Sequence, residues 1–329
     1  MRSSTCDSWR GQRRADAPEL RTGIGRCRAT GRDGPIARRS RIACIGNAHP
    51  AVRGAAGHGA PRPYTPRVIA DFAAYAAVLL DLDGTLYHED HVLPGAVALV
   101  ERLRREGRTL ACLTNSTTSP ARLGARLAGM GIDVPESGIY TAAAAAADYV
   151  AHHYGPRPRV FNLATEGLEE MLDGRCTWVS GAGEACDAVI VGAPANVYAT
   201  AERQRAALYL LRAGATLVGV CADRVYPSPR GLEFGSGALV EMLAYAANVR
   251  PVYTGKPEAV FFEELCAKLG VAPSRCVLVG DNLESDIAGA KRVGMATVLT
   301  LTGVTHEADL EKLPDELRPD WVVRDLNEM

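Results

Sequence analysis

Three apolar runs, Ala76–Leu80, Thr109–Leu113 and Val277–Val279, each stop abruptly at polar residues, and helix-like sequence follows each of them. Short runs without polar alternation suit parallel strands buried on both faces, a context that needs covering helices. Gly95–Glu106 supplies one helix, with Ala96, Leu99, Val100 and Leu103 at helical spacing and Gly107 as a stop signal. Pro120–Ala128 repeats the pattern after the second run. Strand–helix alternation of this kind predicts a doubly wound, Rossmann-like α/β sheet with right-handed crossovers, whose ligands bind beyond the carboxyl ends of the strands. The polar residues that end the runs therefore converge on one edge.

Those endings carry the chemistry. The first is Asp81-Leu82-Asp83-Gly84-Thr85, in which alternation along an extended chain points Asp81 and Asp83 the same way. Two carboxylates in one small site repel unless a cation lies between them or one holds a proton, so the pair implies metal binding or acid–base chemistry. The second run ends in Thr114-Asn115-Ser116, hydroxyl and amide donors for an anion. Thr254-Gly255-Lys256-Pro257 presents a lysine just before a proline suited to a first helical turn, and Gly280-Asp281-Asn282-Leu283-Glu284-Ser285-Asp286 adds two further carboxylates. Alone, each reads as a cap or a turn; their order and placement make them a constellation. It suits phosphoryl transfer. A hard cation such as Mg²⁺ offsets the repulsion between a carboxylate and a phosphate dianion, Lys256 adds positive charge, and Thr114 and Asn115 donate to phosphoryl oxygens. Asp81 is then the nucleophile and Asp83 the general acid and base.

The four elements resemble the motifs of the haloacid dehalogenase superfamily of phosphohydrolases (DxDxT, Thr/Ser, Lys and GDxxxxD), from about Val68 to Met329. The resemblance implies that Asp81, the backbone carbonyl of Asp83, and Asp281 ligate Mg²⁺, with Asp286 orienting a bound water or Lys256. The acid at Asp83 implies phosphate-ester hydrolysis, because halide departure needs no proton. A phosphotransferase, or a non-catalytic phosphometabolite-binding protein, is the alternative on the same core.

About 140 residues separate Thr114 from Lys256, far more than a crossover needs, so a second domain is inserted there. Arg159–Leu163, Ala188–Gly192 and Ala215–Val220 read as its strands and Ala199–Ala213 as a helix, which makes it α/β. The expected organisation is a core at 68–156 and 251–329, with a cap at 157–250. The arrangement is similar to the NagD-like, para-nitrophenylphosphatase-like branch, as are Gly235–Leu239, Thr302-Gly303-Val304 and Pro319–Val323. That branch implies a small phosphorylated metabolite as substrate and a homodimer through the cap. Where the branch has a Thr-Asn-Pro-Asp-like turn this chain reads Val220-Cys221-Ala222-Asp223, and Asp223, Arg224, Tyr226 and Arg230 are the cap's candidate substrate contacts. The Ala142–Ala147 run reads as a good helix former beside the domain boundary. His88–Pro94 reads as a short flap.

The formal net charge of −1 averages two unlike parts. Residues 1–67 hold 14 of the 37 basic and 4 of the 38 acidic residues, a charge of +10, whereas the rest holds 23 and 34, a charge of −11. An acidic body argues against nucleic acid as a partner. The Arg-rich start lacks apolar periodicity and reads as a disordered extension. Nine cysteines without a C-x-x-C pair argue against a disulfide framework or structural zinc, and no apolar stretch reaches the ~20 residues of a membrane span. The expected location is cytoplasmic.

Overall fold

In the computed structural model, residues 72–329 are described, apart from 194–196, 229, 312 and 315–316. The Arg-rich extension and the first residues of the expected core lie outside them. Ala77–Asp81, buried at all five positions, pairs in parallel with Thr109–Thr114 on one side and Cys276–Gly280 on the other. The six-stranded sheet runs Trp321–Val323, Ala296–Thr300, Cys276–Gly280, Ala77–Asp81, Thr109–Thr114, Ile139–Thr141, every pairing parallel. Alternation along the central strand explains the two layers of helix. Val78 and Leu80 pack with Leu99, Leu103 and Leu123, while Ala77 and Leu79 pack with Phe261, Phe262 and Leu265. This is the doubly wound sheet expected from the apolar runs, with strand ends displaced by about one residue.

The inserted segment forms a second parallel sheet, in the order Val252–Tyr253, Thr216–Gly219, Ala188–Val191, Arg159–Leu163, Thr177–Trp178. Helices Ala201–Arg212 and Ser236–Ala247 contribute to the cluster on one face, and Glu166–Leu172 and part of Ala142–Tyr154 to the cluster on the other. The expected boundary at residue 251 falls too early. Val252 pairs with Val218 and Tyr253 with Gly219, so the cap sheet takes in a two-residue edge strand too short to stand out as an apolar run.

Ala142–Tyr154 joins the two parts. Thr141 accepts a hydrogen bond from the Ala144 amide (3.1 Å), which caps the helix. Its six leading alanines are all buried. Ala144 and Ala145 lie in the core's cluster, whereas Ala142, Ala146, Ala147 and Val150 lie in the cap's. A larger side chain on either face would push one layer away. Two hairpins complete the architecture: Tyr87–His88 with His91–Val92 at the expected flap, and Val225–Ser228 with Gly231–Phe234 after the Asp223 loop. No helix among the described residues is long and apolar enough to cross a membrane.

Leu79 is fully buried between the central strands and the Phe261–Phe262 layer. Leu79→Ala is expected to lower unfolding free energy by about 2–5 kcal/mol, read as a reduced urea midpoint at unchanged slope.

Candidate active site

Asp81 is the last residue of the central strand, and Asp281 follows the last residue of the neighbouring one. Parallel pairing at Leu80↔Val279 brings both to the same edge. Asp286 arrives through a π-helical turn, Leu283–Ile287, whose wide geometry returns its carboxylate beneath the strand end. The Asn282 amide donates to Asp286 Oδ2 at 3.1 Å. One carboxylate oxygen from each of Asp81, Asp281 and Asp286 lies within 4.8 Å of the others, and all three residues are buried. Lys256 enters from the end of the cap sheet. Its Nζ donates to Asp81 Oδ1 at 2.5 Å and to Asp286 Oδ1 at 2.7 Å.

Charge is incompletely balanced here. Burial raises the Asp81 carboxyl well above its ordinary range; Lys256 opposes that rise, and Asp286 and Asp281 reinforce it. Asp281 is pushed up to about 6, first by burial and then by Asp286. For Lys256 burial is the largest influence and pulls downward, yet the attraction of Asp286 and Asp81 outweighs it and leaves the ammonium's pKa raised. Three carboxylates against one ammonium form a hard oxygen donor set short of positive charge, which fits a divalent cation such as Mg²⁺.

Glycines make this density of carboxylates sterically possible. Gly84, at φ +83°, is pressed against Asp281, so a Cβ there would come within 2.5 Å of Oδ2. A Cβ at Gly303 would overlap the same oxygen, which accepts a 2.7 Å hydrogen bond from the Val304 amide. The Thr302 hydroxyl donates to the Gly84 carbonyl at 2.7 Å and ties the two loops together. Thr302-Gly303-Val304, one of the stretches similar to the NagD-like branch, thus serves to hold Asp281.

The remaining residues divide. Thr114 is buried, and its hydroxyl oxygen accepts from the Ser116 amide at 3.1 Å. Asn115 accepts from the Lys256 amide at 2.8 Å and donates to the Lys256 carbonyl at 3.0 Å and to Asp223 at 3.3 Å. Its side chain thus braces the lysine loop instead of standing free for phosphate. The chain turns straight after Leu82, with Leu86 N–H donating to the Leu82 carbonyl at 2.8 Å. That turn ends the alternation, and the Asp83 carboxylate is exposed, 3.5 Å from His88 Nδ1, apart from the buried three. Of the cap candidates, Asp223 meets Asn115, whereas Arg224 is exposed, Tyr226 is half-buried on the hairpin, and Arg230 pairs with Glu233 at 3.0 Å.

Residues 78–175 match the haloacid dehalogenase-like hydrolase family and residues 253–329 match the HAD-hydrolase-like family. The chain is 32% identical to an acid sugar phosphatase of Staphylococcus aureus over 255 residues, which cover 77% of this chain and 96% of the relative. It is 30% identical over 256 residues to the 5′-nucleotidase YutF of Bacillus subtilis, covering 77% and 97%. Among solved structures, NagD of E. coli superposes with a TM-score of 0.70 at 28% identity, covering 78% of this chain and 98% of that one. A glycerol phosphate phosphatase of Mycobacterium tuberculosis in complex with magnesium gives 0.71 at 28% identity, covering 78% and 77%. The chain belongs to the haloacid dehalogenase-like hydrolases. Within them it falls in the NagD-like branch, and it is a phosphomonoester hydrolase.

Gly303→Ala is expected to displace Asp281 and lower phosphatase kcat/KM by at least about tenfold while the fold stays intact. Unchanged far-ultraviolet circular dichroism beside steady-state kinetics would check both halves.

Proposed function

We propose that the protein is a Mg²⁺-dependent phosphatase that hydrolyses small phosphomonoesters through an aspartyl-phosphate on Asp81. The observation that carries the reading is the buried Asp81 carboxylate: Lys256 fixes Oδ1 at 2.5 Å, and among the described residues Oδ2 has only the Thr85 hydroxyl, at 3.4 Å. One oxygen is thereby held and the other left for attack.

Asp81, Asp281 and Asp286, with the Asp83 carbonyl, would hold the metal, which when bound supplies the charge that lets a carboxylate approach a phosphate dianion. The magnesium complex of the related glycerol phosphate phosphatase supports magnesium as the metal. Asp81 Oδ2 attacks phosphorus as the ester P–O bond breaks, and Asp83 gives the departing alkoxide a proton. Asp83 then takes a proton from water, the water oxygen attacks phosphorus, and the Asp81–phosphorus bond breaks to release inorganic phosphate and restore both carboxyl groups. Lys256 and the Thr114 hydroxyl face the charge that develops on the phosphoryl oxygens, while Asn115 keeps the Lys256 loop in place. Exposure of Asp83 suits its part, because an exposed carboxyl exchanges protons with solvent. The names of the two curated relatives support a small sugar or nucleoside phosphate as the substrate.

Turnover of para-nitrophenyl phosphate is expected to vanish with EDTA, to return with Mg²⁺, and to fall about 10³-fold or more in Asp81→Asn. Activity that persists in EDTA or in the variant would sink the mechanism. Asp83→Asn is expected to slow hydrolysis of glycerol phosphate by about 10²–10⁴-fold and that of para-nitrophenyl phosphate far less, since nitrophenolate leaves without a proton. Equal losses on both esters would remove Asp83 as the acid.

A further inference from the structure

The loops at the carboxyl ends of the cap strands follow the order of the sheet. Lys256 follows Val252–Tyr253, Asp223 follows Thr216–Gly219, Tyr198 follows Ala188–Val191, and Thr165 follows Arg159–Leu163. The first two loops meet at Asn115, beside the carboxylate cluster. The last two lie against core residues Thr117–Arg122, and a cleft of about 320 Å³ opens between them. Thr165 closes one end by donating to the Thr117 carbonyl at 3.0 Å. Two strand spacings separate the strand that leads to Asp223 from the one that leads to Thr165, a lateral reach of about 10 Å.

Hydroxyl-bearing residues are the commonest in this cleft, beside Arg122, Glu166, Gly167 and Val197. Thr117, Thr118, Ser119, Thr165 and Tyr198 line it with hydroxyl-bearing side chains. Its charged groups are already matched, because Arg122 pairs with Glu166 at 2.9 Å and with Glu170 at 2.8 Å. Ser119 precedes the helix Pro120–Gly129 without capping it through its side chain, and its Oγ is buried with no hydrogen-bond partner among the described residues. A buried hydroxyl without a partner is costly, so its retention at the wall of a cleft points to a partner brought by a ligand.

We infer that the cleft is the distal subsite of the substrate pocket, taking the uncharged, hydrogen-bonding end of a leaving group about 10 Å long while the phosphate sits at Asp81. The inference rests on the phosphatase reading. Counting bonds of about 1.5 Å, a glycerol leaving group reaches only about 5 Å from phosphorus and stops short of the cleft, whereas a nucleoside or a disaccharide spans it. A second phosphate would enter a site where Arg122, the only cation among its described residues, is already engaged. Long neutral leaving groups are therefore preferred over short or charged ones.

The test compares kcat/KM for uridine 5′-monophosphate, trehalose 6-phosphate, glycerol phosphate and fructose 1,6-bisphosphate in the full chain, in Ser119→Ala and in the cleft-filling Thr118→Phe. The unmodified protein is expected to favour at least one of the two long neutral esters over both glycerol phosphate and the bisphosphate, and which one it favours separates a nucleoside from a carbohydrate occupant. Ser119→Ala should raise KM for that ester about five- to tenfold at unchanged kcat, Thr118→Phe should raise it further, and neither should alter turnover of glycerol phosphate or para-nitrophenyl phosphate. Equal losses on short and long esters, no loss on the long ones, or a preference for glycerol phosphate or the bisphosphate would overturn the subsite. The unmodified protein's turnover of para-nitrophenyl phosphate reports the phosphatase reading separately, and its absence overturns both.

Discussion

Lys256 Nζ lies 2.5 Å from Asp81 and 2.7 Å from Asp286, with Asp281 completing a buried group of three carboxylates around one ammonium. Burying ions is expensive unless they are paired, and here the pairing leaves an excess of negative charge. Burial raises the carboxyls of Asp81 and Asp281, and the neighbouring carboxylates add to the rise. Neighbouring structure holds the arrangement against that excess. The π-helical turn aims Asp286, Gly84 and Gly303 give Asp281 room, and Asn115 clamps the main chain of Lys256 from both sides. A cation that relieves the excess also prepares the site for a phosphate dianion, so one electrostatic deficit serves two ligands.

Lys256 ties that site to the cap, because it follows the cap's edge strand by only three residues and Gly255 packs against the Val220 carbonyl. The lysine's position thus depends on the cap sheet's register as well as on the core. Ala142–Tyr154 makes the second link, with alanines on opposite faces that let one helix serve two hydrophobic clusters. Composition alone makes that run a helix; only the presence of layers on both sides explains why the small side chains are needed.

Most of the core site was legible in the sequence because parallel sheets place successive strand ends on one edge, and those ends are contiguous motifs. Asp81, Thr114 and Asp281 could be assigned to that edge from apolar runs and the polar residues that stop them, whereas Lys256 follows a cap strand and was read from its motif alone. Asp83 was placed less well, since period-two alternation assumes that the strand continues, and the turn after Leu82 stops it. Asn115 was read by residue type as a donor to phosphate, whereas its partners lie 108 and 141 positions away and no local pattern reveals them. The Val252–Tyr253 strand escaped notice for a related reason: two residues at a sheet edge carry too little periodicity to register.

The same contrast explains why a reaction class is easier to read than a substrate. In the proposed mechanism phosphate is bound by charges on a few strand ends, each fixed by its own motif. The proposed leaving-group surface is assembled from residues near 118, 165, 198 and 223, which come together only once the cap sheet has aligned its strand ends opposite the core. Selectivity in such a protein is therefore set by the order of strands in the inserted sheet. A loop moved by one strand would shift its contacts by about 5 Å along the cleft and alter the accepted length of the leaving group without touching the carboxylates.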